Sequence, residues 1–125
     1  MKQIISTKNA PSAIGPYSQA VLINGTLYTS GQIGINPATS ELEIDTLNHE
    51  TNLVMKNLTA VLKAAKMNFS NVIKTTIFLK NMDDFAEVNT IYASYFDKDF
   101  PARETVQVAK LPLDVNVEIS MIAII

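Results

Sequence analysis

Residues 72–80 read VIKTTIFLK, and the architecture turns on the nature of this stretch and of the two segments after it. Ile73, Thr75, Ile77 and Leu79 alternate with Lys74, Thr76, Phe78 and Lys80, a period of two that marks a β-strand. Asp83 or Asp84 can then cap a helix whose apolar stripe is Phe85, Val88, Tyr92, Tyr95 and Phe96. Pro101 stops that helix. The chain alternates again from Arg103, with Val106 and Val108 on one face and Arg103, Thr105 and Gln107 on the other. Strand, helix, strand in that order places two parallel strands side by side with the helix packed on one sheet face.

The same logic extends upstream. From Thr46 to Lys66 the apolar positions Leu47, Val54, Leu58, Val61, Leu62 and Ala65 are spaced by three, four and seven, one face of a helix that Asp45 or Thr46 can cap. Before it, AVLI and TLYTSGQIGI are β-prone runs joined by Asn24-Gly25, the residue pair of a type I′ hairpin turn. NAPSAIGPYS (9–18) reads as an irregular loop and NPATSELEID as a surface loop. Downstream, LPLD makes a turn and VNVEISMIAII the last strand, while KQII can add a short first one. The order ββαβαββ predicts an α/β (α+β) fold with a mixed sheet, one domain over residues 1–125, and two helices on a single sheet face. The last strand is nevertheless apolar on both sides, with Ile119, Met121, Ala123 and Ile125 on one and Ile122 and Ile124 on the other. A strand of that kind is buried twice over, and another copy of the chain is the expected second cover.

Composition narrows the chemistry. Ten Lys and Arg residues, never two together, and a net charge of −2 do not supply the clustered cations that nucleic acid binding needs. Cysteine is absent, which removes disulfides and thiolate chemistry, and the single histidine, His49, is expected to be solvated and cannot form a multi-histidine metal site. The N-terminus lacks the pattern of a signal peptide, and no apolar run approaches the roughly 20 residues of a membrane helix. The expectation is a soluble, cytoplasmic protein.

Two charged residues in strands stand out. Arg103 is either a surface or interface ion-pair residue or a planar fork aimed at a carboxylate. Glu118, in the otherwise apolar VNVEIS, is either solvated or kept for proton chemistry. If LPLD makes a simple hairpin, Glu118 falls opposite Gln107, on the face of Arg103 but roughly 13 Å along from it. The two would then not meet within one chain. Tyr17 in its loop, Ser30-Gly31-Gln32 at a strand end and Asn89 beside the second helical stripe are further candidates, each with a packing or boundary role as its plainer reading.

Taken together, AIGPYSQA (13–20), YTSGQIG (28–34), NL (57–58), KTTIFLKNMDDFAEVN (74–89), PAR (101–103), VAKLP (108–112) and VEI (117–119) resemble the reactive intermediate (imine) deaminase family of RidA or YjgF type, nearly end to end. The resemblance implies a chorismate-mutase-like fold that assembles as a homotrimer, with its sheets around a central β-barrel and its clefts between subunits. It implies hydrolysis of 2-imino acids such as 2-iminopropanoate and 2-iminobutanoate, which leave pyridoxal-phosphate dehydratases, to 2-keto acids and ammonia. Arg103 would clamp the carboxylate and Glu118 would direct the water, with Tyr17, Ser30, Gly31 and Asn89 completing the cleft. No metal, covalent nucleophile or bound cofactor is required. Departures are Thr105 in place of a cleft cysteine, Gly34 in place of a proline, which would loosen that loop, Ser120 in place of a second carboxylate, and a short DKDF loop before PAR. Rival readings are a non-catalytic sensor of 2-keto acids, a ribonuclease and a holdase.

Overall fold

The computed structural model describes residues 1–125. In chain order the elements are β1 (Gln3–Ile5), β2 (Ala20–Ile23), β3 (Thr26–Thr29), α1 (Leu47–Ala64), β4 (Val72–Leu79), α2 (Phe85–Ala93), β5 (Ala102–Gln107) and β6 (Val117–Ile124). They form one six-stranded mixed sheet in the order β1-β2-β3-β6-β4-β5, with both helices on one face. Asn24 and Gly25 take φ of 50° and 77°, the left-handed pair that the turn between β2 and β3 requires.

Strand adjacency differs from the sequence expectation in two places. Only β4 and β5 are parallel neighbours, because β6 inserts between β3 and β4 and runs antiparallel to both. For the same reason Leu111–Asp114 is not a hairpin turn: it carries the chain from β5 across the end of β4 to the far side. Leu113 and Asp114, at φ of 55° and 56°, make that reversal, at a cost of order 1–3 kcal/mol for each such residue without glycine's freedom. The two faces of β6 differ in burial. Val117, Ile119, Met121 and Ala123 are buried under the helices, and Ile122 is half-buried on the other side. Ile124, on that same open side, is exposed, so within the single chain only one face of β6 lies beneath a second layer.

This register also corrects the placement of the two charged residues. Arg103, Thr75 and Met121 lie in one row across the sheet, and Val106, Phe78 and Glu118 in another. Thr75 and Met121 are buried beneath the helices, so Arg103 belongs to the helix face and Glu118 to the opposite, open face. They do not share a face as the hairpin register implied.

Local details follow from capping and packing. Thr46 caps α1, its hydroxyl accepting from the His49 N–H at 3.1 Å. Ahead of α2 the capping oxygen comes from Asn81, which accepts from Asp83 N–H, while Asp84 makes no side-chain cap bond. Tyr95 and Phe96 lie past the end of α2 but still close the core edge, with ring centroids 5.2 Å apart for Phe69–Phe96 and 4.8 Å for Tyr92–Phe96. A bulge between Val72 and Lys74 reverses the alternation at the start of β4, burying Val72 and exposing Ile73, against the period read from sequence. The 33–43 loop is tied rather than loosened at Gly34, whose carbonyl accepts from Glu43 N–H at 2.8 Å. The open face of the sheet carries Ile4, Tyr28, Val106 and Ile124 exposed, with Val21, Phe78 and Ile122 half-buried.

Candidate functional site

The sequence-predicted residues fall into two groups, one on each face of the sheet. On the helix side, α2 presents Phe85, Asn89 and Tyr92 at spacings of four and three, hence on one helical face above β5. Arg103 reaches into that row. Its Nη1 donates to Asn89 Oδ1 at 2.7 Å, and its guanidinium lies 5.2 Å from the Tyr92 ring centroid and 5.6 Å from that of Phe85. Tyr92 is held from below by its hydroxyl donating to Thr75 Oγ1 at 2.9 Å, and burial pushes that phenol above its ordinary value of 10.0. The pocket beside Arg103, about 250 Å³, is bounded by Phe100, Pro101 and Ala93.

Arg103 is half-buried and has no carboxylate partner. The chain's ion pairs are Glu43–His49, Lys74–Glu104 and Lys80–Asp114. Arg103 therefore makes no ion pair within its own chain, and an ion pair across an interface is left as the remaining form of that reading. One neutral amide and two ring faces orient the fork and leave most of its donors free for an anion. Two residues further, the Thr105 hydroxyl is buried on the same face without a hydrogen-bond partner.

On the open side, Glu118 is half-buried in a cleft of about 630 Å³ whose walls include Tyr17, Ser30, Gly31, Pro112 and Leu113. Burial raises its carboxyl pKa above the ordinary 4.5. A Cβ at position 31 would sit 2.7 Å from Glu118 Cδ, so the bare glycine lets the glutamate side chain lie where it does. The strip holding Gly31 continues past β3 alongside β6, where Gln32 and Ile119 exchange backbone hydrogen bonds at 2.8 and 3.1 Å. Gly31 N–H has no partner inside the chain. The Ser30 hydroxyl donates to Ser18 O at 2.6 Å, which leaves its oxygen as an acceptor toward the cleft. Tyr17 stands 53% exposed at the rim.

Sequence reading missed the groups that support this cleft. Gln19, buried, binds Thr7 through both its backbone N–H and carbonyl and also donates to Ala10 O and Pro11 O, fixing the loop that forms one rim. Asn57 in α1 donates to Ile33 O and Ile35 O. Glu50, also in α1 and fully buried, accepts from both the backbone and the side chain of Asn116. A signal existed: Glu50, Val54, Asn57, Leu58 and Val61 share one helical stripe, so the two polar residues lie where the spacing demands burial. His49, as expected, is largely exposed, and it pairs with Glu43 at 2.6 Å, which together with Asn36 holds that carboxyl below its ordinary value.

A family model described as "Endoribonuclease L-PSP" matches residues 7–125. A Lactococcus lactis protein named "Putative regulator AldR" is 53% identical over 121 residues, covering 97% of this chain and 96% of its own length. The human protein named 2-iminobutanoate/2-iminopropanoate deaminase is 48% identical over 124 residues, covering 99% of this chain and 90% of its own. Among solved structures, a Rid-family protein of unknown function from Yersinia pestis superposes with a TM-score of 0.98 at 51% identity, over 100% of both chains.

Proposed function

The chain belongs to the Endoribonuclease L-PSP family, the YjgF/RidA family, and from that premise and the two half-sites we infer that it is a 2-iminobutanoate/2-iminopropanoate deaminase. The observation that carries the reading is the half-buried guanidinium of Arg103 without a counter-ion in its chain, on the sheet face opposite a desolvated carboxyl. A substrate that uses both needs a carboxylate for the first and a site of proton exchange for the second. A 2-imino acid has both, on adjacent carbons.

One chain cannot bring the groups together, so the working cleft joins Arg103 and Asn89 of one copy to Glu118, Gly31, Ser30 and Tyr17 of another. The partly apolar open face of the sheet is the surface through which copies pack, in a homotrimer. Arg103 holds the substrate carboxylate through charge-assisted hydrogen bonds. Glu118 takes a proton from water as its oxygen bonds to the imine carbon and the C=N electrons move to nitrogen. The same carboxyl returns the proton to nitrogen. The Glu118 carboxylate then takes the proton of the carbinolamine hydroxyl and passes it to the amine, so that C=O forms as the C–N bond breaks and the 2-keto acid and ammonia leave. A carboxyl raised above its usual range by burial suits both halves of this cycle. Arg103 requires no proton chemistry, being charged at any working pH.

The test follows decay of the transient imine formed by a threonine dehydratase, with wild type and Arg103→Ala in parallel. Faster decay with wild type alone is expected. A folded wild-type protein that leaves the decay unchanged overturns the deaminase reading. A second reading, a sensor that binds 2-keto acids without turning them over, is favoured by the name of the Lactococcus lactis relative. Glu118→Ala separates them, abolishing hydrolysis but sparing keto-acid binding in the enzyme. Endonuclease chemistry, the activity in the family description, is disfavoured by a net charge of −2 and by a single histidine already paired with Glu43.

A further inference from the structure

We propose that Glu50 is a positioning residue for the proposed hydrolysis: from inside the core it fixes the two walls between which the Glu118 carboxylate lies. Glu50 belongs to the first turn of α1 and is 0% exposed. Both of its oxygens are committed to one residue, Oε2 accepting from Asn116 N–H at 2.8 Å and Oε1 from Asn116 Nδ2 at 2.7 Å. Asn116 immediately precedes β6, and its own carbonyl accepts from Lys80 N–H at 2.9 Å. The entry of β6 is thus pinned between α1 and the end of β4. Glu118 lies two residues on, roughly 7 Å along the strand.

The same side chain holds the opposite wall. A Cβ on Gly34 would lie 2.9 Å from Glu50 Cγ, so the Glu50 stem packs directly against the backbone of the strip that carries Gly31. Two turns further along α1, Asn57 donates to Ile33 O at 3.3 Å and to Ile35 O at 2.9 Å, gripping that strip on either side of Gly34. Strip and strand meet where the Glu118 carboxylate packs against the Gly31 Cα with no room for a Cβ. A shift of either wall moves the catalytic carboxyl or opens its flank to water. Burying a carboxylate is expensive, and a neutral acceptor would satisfy the Asn116 donors. The carboxylate offers two charge-assisted bonds, the shorter and stiffer choice for holding a backbone in place.

The kinetic arm of the test rests on the deaminase reading. In Glu50→Ala, kcat for imine hydrolysis is expected to fall about 10- to 100-fold, the order expected when reacting groups move by about 1 Å. KM, set by Arg103 on the other face, stays within about threefold. Glu50→Gln, in which Asn116 can turn its amide to match, recovers most of the lost kcat. Asn116→Ala and the double variant with Glu50→Ala lower kcat by less than the product of the two single effects, since both remove one brace. A folded Glu50→Ala with unchanged kcat, a parallel rise in KM, or full additivity overturns the proposal. If Glu50→Ala does not fold, Glu50→Gln and Asn116→Ala carry the same comparison. A second arm needs no turnover: carbon-detected NMR titration of Glu118 in the free protein. Loosened walls admit water, so its midpoint should drop toward 4.5 in the Asn116→Ala and Glu50→Ala proteins, and an unmoved midpoint also overturns the proposal. If wild type does not hydrolyse imines, the function fails while this arm still decides the role of Glu50.

Discussion

Arg103 and Glu118 occupy opposite faces of one sheet, and their surroundings differ as much as their charges. The arginine is flanked by two aromatic rings and one amide, partners that orient a cation without neutralising it. The glutamate stands against a bare glycine backbone in a cleft with apolar rims, which disfavours its charged form. One environment preserves a permanent charge and the other makes a charge conditional. In the proposed reaction the contrast separates binding from proton transfer, and it can be broken one side at a time.

The largest effect should come from Glu118→Gln, which keeps shape but cannot exchange a proton. Loss of about 10³-fold in kcat is expected, with 2-keto acid affinity within a few-fold of wild type. Steady-state kinetics beside calorimetric binding checks this, and equal loss of both would erase the division of roles. Arg103→Lys retains the charge and removes the fork. One lost charge-assisted hydrogen bond, worth about 1.5–3 kcal/mol, lowers kcat/KM by roughly tenfold to a hundredfold. If lysine works as well as arginine, the orientation given by Asn89 is irrelevant. Phe85→Leu, which takes away one ring face, should raise KM about threefold to fivefold with kcat unchanged.

The smallest effect is on stability. Burial makes the folded chain hold the Glu118 proton more tightly than the unfolded chain does, so the wild type's stabilising share is full below pH 4.5 and is lost as pH rises through the raised folded pKa. Glu118→Gln should therefore stabilise the fold at pH 7.5 by less than about 1 kcal/mol, a gain that vanishes by pH 4.5, as read by urea unfolding. A gain that grows on acidification would mean that the carboxylate is stabilised in the cleft.

Periodic and turn signals in the sequence carried the element list: the Asn24-Gly25 turn, the stripe of α1, the first part of the second stripe and the alternation of β4 from Thr75 onward appear where the residues put them. The β2–β3 hairpin and the parallel β4–β5 pair were legible, but the place of β6 was not. The partners of β6 lie as far back as Thr26, and no local pattern encodes a pairing across the whole chain. Its two-sided apolarity was the available clue, and it pointed to a second copy as well as to the middle of a sheet. The bulge at Val72–Lys74 escaped because alternation is assumed unbroken until pairing interrupts it. The candidate site residues were singled out by motif. Their opposite faces were not, since that follows from β4 standing between β5 and β6.

The place of β6 has a consequence for how the molecule is made. Translation delivers β1 through β5 first, as two separate pieces, β1-β2-β3 and β4-β5, each with an unsatisfied inner edge. The strand that joins them is the last of the six to be made, and it is also the strand that carries Glu118. A nascent chain is therefore an open, edge-exposed intermediate dependent on long-range closure, the kind that folds slowly and is vulnerable to aggregation. A chain interrupted before Val117 has neither a joined sheet nor the proposed proton-transfer group.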